Sequence, residues 1–192
     1  MSRATKLYLA CFLCALAATA IFPDQIPPYY INCVVALGSF HAPAPGQTPV
    51  WVTEASGFMY GVPNDSETDP AKHLYSVFLV TNRHVLANHT EITVRLNSEK
   101  PQDPVREFPL ALKDANGKDL WTSHPDAAID VSVIQLNAQF LRDQGVQSSF
   151  FAADQQVADR AKMKDIGLAI GDGVFVLGFP MGLYGTPCSA PL

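Results

Sequence analysis

The sequence predicts an all-β protein. Six or seven short, β-rich apolar segments recur about every ten residues along the 192-residue chain, with polar turns between them. That is the pattern of a closed antiparallel barrel or a sandwich. Fifteen prolines break up long helices, and helical periodicity is confined to residues near 137–168. A hydrophobic fraction of 48% against a charged fraction of 16% supplies enough apolar side chain for a core and excludes a disordered chain.

The elements follow in order. "IFPDQIPPYY" (21–30) is a Pro-rich extended lead-in, and "YINCVVALGSF" (30–40) is a β-branched apolar strand. After the loop "HAPAPGQTP" (41–49), "VWVTEASGFMYGV" (50–62) reads as a strand whose glycines 57 and 61 mark a bulge or a close backbone approach. "PNDSETDPAKH" (63–73) is a polar turn. "LYSVFLVT" (74–81) is a strand buried on both faces, whereas "EITVRLN" (91–97) alternates like a half-exposed one. "REFPLAL" (106–112) is a further strand, turned by "DANGKD" (114–119), and "AAIDVSVIQL" (127–136) is a buried strand. Weak helical signal falls on 138–145 and 155–167. Residues 171–185 then read as a turn, an apolar strand and a Gly/Pro corner.

The N-terminus has a different character. Arg3 and Lys6 precede sixteen uncharged, mostly apolar residues from Leu7 to Phe22, and Ala18-Thr19-Ala20 offers the small residues of a cleavage site. This is the pattern of a secretory signal peptide, assigned to residues 1–20. The run is short for a spanning helix, which needs about 20 residues. The chain is therefore expected to be exported, periplasmic or secreted, with no stable membrane span after cleavage. An uncleaved N-terminal anchor is the alternative. Cleavage would remove Cys11 and Cys14. Cys33 and Cys188 then make no disulfide framework and no C-x-x-C metal pair, and both are read as free.

The net charge is −5 and no basic block occurs, so a nucleic-acid partner has no electrostatic footprint. Nothing in the sequence calls for a cofactor or a metal.

"VFLVTNRHVLAN" (77–88) carries the chemistry. An apolar strand runs into Thr-Asn-Arg-His, and His84 at the strand end is either a packed imidazole or a general base on a rigid edge. Asp130, 46 residues later, opens the apolar run "DVSVIQL", where a half-buried carboxylate needs an imidazole N–H or several backbone donors.

"ASGFMYG", "VFLVTNRHVL", "ITVRLN", "DAAIDVSVIQL" and "IGDGVFVLGFPMG", in that order over residues 52–185, resemble the trypsin-like serine endopeptidases. The nearest likeness is to the cysteine-poor bacterial branch that includes the high-temperature-requirement proteases, since Val85 rather than cysteine follows His84. The resemblance implies two antiparallel β-barrels. The first would be complete in residues 21–136, residues 137–160 would link the two, and 161–192 would form part of the second. It implies a His/Asp/Ser triad with His84 as general base and Asp130 as its orienter, a protein or peptide substrate, and serine-type endopeptidase activity.

The family's Gly-x-Ser-Gly nucleophile motif does not occur in this sequence. The chain is accordingly expected to be C-terminally truncated and inactive as given, or else a pseudoprotease or peptide-binding module on the same scaffold. Ser189 and Cys188 in "GTPCSAPL" lack the glycines that let backbone N–H groups face an oxyanion, and Ser56 reads as structural. His124 and Asp126 are expected as surface turn residues. His89 is expected to form no zinc pair with His84, Arg83 to be solvated or paired, and Gly171-Asp172-Gly173 to be a turn.

Overall fold

The structure is a computed structural model and describes residues 25–64, 69, 72–100 and 102–179. The signal peptide, Cys11, Cys14, Cys188, Ser189 and the Gly/Pro corner after Phe179 lie outside these residues.

Among the described residues strand outweighs helix. Residues Val34–His41 (β1), Val50–Pro63 (β2), Tyr75–Thr81 (β3), Glu91–Leu96 (β4), Arg106–Ala111 (β5), Thr122–Ser123 (β6), Ser132–Gln135 (β7) and Phe151–Ala152 (β8) form one sheet. Its order is β5-β4-β1-β2-β3-β7-β6, with β8 added in parallel to β2 at Tyr60 and Gly61. Every other pairing is antiparallel. Right-handed strand twist curls such a sheet into a half-barrel. Beyond β5 a bridge joins Lys113 to Asp119, and Leu120 N–H donates to Leu112 O at 2.9 Å just before β6, so the two ends of the path approach each other.

The period-2 pattern fixes the inner face. Val35, Leu37, Met59, Val77, Leu79, Ile92, Val94, Leu96 and Ile134 are buried on it, and Leu86, Leu112, Leu141 and Val146 close the core. β4 buries Ile92, Val94 and Leu96 in strict alternation, as its sequence predicts. Gly57 and Gly61 are sites of close approach. A Cβ on Gly61 would stand 2.3 Å from the Phe150 ring, and one on Gly57 would stand 2.8 Å from Leu79 Cδ1. The bulge lies elsewhere. The β1–β2 register shifts between Leu37 and Gly38, which leaves Glu54 unpaired between Ala55 and Thr53.

The four short helices among the described residues are only partly legible in the sequence. Pro28–Asn32 (α1) occupies the start of the expected first strand, because two prolines at its entrance preset a helical turn. Arg83–Ala87 (α2) follows β3 directly. Ala138–Asp143 (α3) and Arg160–Asp165 (α4) begin at Asn137 and Asp159, whose side chains accept from Phe140 N–H and Lys162 N–H.

Three expectations need correction. β3 is buried on one face only: Val77, Leu79 and Thr81 are inside, while Ser76, Phe78 and Val80 are partly covered. The strand expected over 127–136 begins at Ser132. Residues 126–130 instead form a turn in which Asp126 Oδ1 accepts from Ala128 N–H at 2.9 Å and Asp126 O from Ile129 N–H at 3.0 Å. Residues 174–179 form no strand among the described residues. Val174 and Val176 are 79% and 91% exposed, and no ladder partner lies beside them. Residues 137–152, within the expected linker, pack against the sheet through Leu141, Val146, Phe150 and β8.

Candidate active site

His84 sits on the first turn of α2, where the chain leaves β3. The turn is held from both sides. Thr81 is buried and its hydroxyl donates to Ser56 O at 2.9 Å, while Val85 and Leu86 point into the core. The imidazole itself faces outward, with the side chain 69% exposed.

Asp130 meets it from the turn before β7. His84 Nδ1 is 2.5 Å from Asp130 Oδ2, and the His84 backbone N–H donates to Asp130 Oδ1 at 3.0 Å. The side-chain bond to His84, followed by the backbone one, holds the Asp130 carboxyl below its ordinary value of 3.8. An ionised carboxylate only accepts, so Nδ1 carries a proton, and in the neutral ring Nε2 then presents a lone pair. Among the described residues Nε2 has no hydrogen-bond partner. The arrangement can therefore take a proton at Nε2 while the carboxylate stabilises the resulting imidazolium. Asp130 is half-buried, with its side chain 41% exposed, and it precedes the strand instead of opening it.

Two neighbours of His84 tie the turn down. Asn82 Nδ2 donates to Asp130 O and Arg83 Nη2 donates to Ala127 O, each at 2.9 Å. Arg83 is thus paired, one of the two states its sequence context allows. Asn82 was not singled out by sequence. The one available signal was an asparagine at a helix start, which ordinarily reads as a cap.

Beside the pair, Val34, Phe58, Val80, Val131, Phe151 and Leu177 line an apolar hollow of about 350 Å³ that reaches Ser56 and Asn82. Ser56 Oγ accepts from Phe179 N–H at 2.6 Å, so its hydroxyl belongs to the packing of residues 178–179 against β2.

The remaining sequence candidates lie apart from His84. His124 Nδ1 accepts from Asp126 N–H at 3.1 Å within the turn. His89 Nε2 meets Glu54 Oε2 at 3.3 Å, and the other oxygen of that carboxylate faces His41 Nε2 at 3.5 Å. Asp172 Oδ2 accepts from Ala169 N–H in the turn at Gly171. A second acid–imidazole contact joins His73 Nδ1 to Asp154 Oδ2 at 2.9 Å, with the Tyr75 hydroxyl donating to Asp154 Oδ1 at 3.0 Å. Among the described residues no three His, Cys, Asp or Glu side chains are grouped so as to hold a metal ion. No described helix is long and apolar enough to cross a membrane. No protein family, no curated protein and no solved structure matches the chain.

Proposed function

We propose that the chain carries the base and orienter of a serine-type endopeptidase of the trypsin-like kind, with His84 as general base and Asp130 as the group that fixes its tautomer. The observation that carries this reading is the two-point contact of one carboxylate with the ring Nδ1 and the backbone N–H of His84, which leaves Nε2 exposed and, among the described residues, unpartnered. In such a centre a serine hydroxyl attacks the scissile carbonyl as its proton passes to Nε2. The imidazolium then returns that proton to the leaving amine, and water releases the acyl group by the reverse route. Preorganised N–H donors facing the oxyanion contribute ~3 kcal/mol each. The reaction consumes only water and needs no cofactor. The substrate is a protein or peptide, and the two-barrel fold and export from the cell belong to the same reading.

A second reading has its own support. No described hydroxyl reaches His84 Nε2, and Ser56 Oγ is committed to Phe179 N–H. A pseudoprotease that binds peptides along a sheet edge would have this appearance.

A fluorophosphonate probe separates the two. Labelling of a serine in the purified chain that disappears in His84→Ala supports the endopeptidase. Absence of labelling, with extended peptides bound by the same sample, supports the binding module.

A further inference from the structure

We infer that Asn82 and Arg83 are positioning residues that hold the Asp130 carboxylate against His84 by gripping the turn that carries it. This deepens the reading above and rests on it. Asp130 lies two residues before β7 begins at Ser132 and takes no place in the ladder. Its side chain is 41% exposed, so packing does not hold it either. Hydrogen bonds must do so.

Asn82 stands at the N-cap of α2, where an asparagine side chain ordinarily accepts from the second or third helical N–H. It makes no such bond. Its amide crosses instead to Asp130 O at 2.9 Å, and the Asp130 carboxylate supplies the missing cap through the 3.0 Å bond from His84 N–H. The two residues exchange caps, which fixes Asp130 at its carbonyl and at its carboxylate together. Arg83 grips the same turn three residues earlier, at Ala127 O. Any rotation of the turn that draws Oδ2 away from Nδ1 has to break these bonds. A catalytic pair of this kind needs its geometry held to about 0.5 Å.

The test is the tautomer of His84 in the full chain, read by nitrogen NMR of ¹⁵N-histidine-labelled protein, with its signals assigned by their loss in His84→Gln. The wild type is expected to show the Nδ1–H form. Asn82→Ser keeps an oxygen able to cap α2 but cannot reach Asp130 O. It is expected to lose the Nδ1–H preference while its far-ultraviolet spectrum stays unchanged. Arg83→Met, which leaves the cap exchange intact, is expected to move the signals less and in the same direction. If both variants keep the wild-type tautomer while Asp130→Asn loses it, the clamp is idle and the proposal fails, though the reading of the pair stands. If the wild type itself lacks the Nδ1–H form, the reading of the pair fails and the clamp with it.

Discussion

Cys33 lies fully buried between α1 and β1, with its Sγ 3.3 Å from Tyr29 O, and burial pushes its thiol up to about 11. At neutral pH it is a protonated packing residue and not a nucleophile. Native protein is therefore expected to resist iodoacetamide at Cys33, whereas urea-unfolded protein reacts. Equal labelling of both, by peptide mapping, would contradict the burial. The carboxylates act in the opposite sense. His84 holds Asp130 below 3.8. At Asp154 burial raises the carboxyl, but the Tyr75 hydroxyl and His73 outweigh it, and the result is again a lowered value. A carboxyl depressed in the folded state adds stability that is complete above its unfolded value and is lost as pH falls through the folded one. The pair at His84 should thus keep its ionised acid through the mildly acidic range and weaken only below about pH 3.8. Urea titrations at stepped pH should show the wild type losing more stability below that point than Asp130→Asn/Asp154→Asn does. Parallel acid limbs would remove both contacts from the account.

At the scale of elements, β2 is the strand on which the sheet depends, since it pairs with β1, β3 and β8. Gly61 lets the Phe150 ring lie on its backbone, so Gly61→Ala must displace that ring and loosen β8. Overpacking of this kind costs about 1–3 kcal/mol. Leu79→Ala, in the fully buried centre of β3, should cost about 2–5 kcal/mol. Urea midpoints check both, and a Gly61→Ala midpoint equal to the wild type would place Phe150 elsewhere. The same elements explain what sequence could tell. β2, β4 and β5 were legible because each is long enough to display its pattern, and Pro109 fits β5 because, among the described residues, β5 has only β4 as a strand neighbour. β6 and β8 have two residues each, too few for any period. Residues 127–131 were misread because Ala127, Ala128 and Ile129 look strand-like, while the Asp126 side chain turns the backbone out of the ladder. His84 and Asp130 were legible as residue types at the edges of apolar runs. The role of Asn82 and Arg83 was not, since it depends on side-chain bonds to backbone carbonyls 48 and 44 residues away.

Across the whole molecule, stability is unevenly distributed. From β1 to β8 every element either pairs in the sheet or buries a side chain in the core, whereas α1 and α4 bury no residue. Ile166, Leu168, Ile170, Val174, Phe175 and Val176 are all exposed. After the last turn of this segment, Leu177 lines the hollow, Gly178 lies against Ser56, and Phe179 N–H donates to Ser56 Oγ. Local opening is cheapest where buried apolar contacts are fewest, so this stretch should open without unfolding the sheet. Limited proteolysis with an enzyme selective for large apolar residues is expected to cut first at Leu168 or Phe175 and to leave a resistant fragment that contains α1 through β8. That fragment should unfold in urea near the midpoint of the intact chain, because the core cluster lies wholly before residue 153. Its midpoint is the informative quantity. A fragment that melts far earlier would mean that residues 153–179 brace the half-barrel through the hollow beside His84, and the tautomer of His84 should then change on cleavage as well.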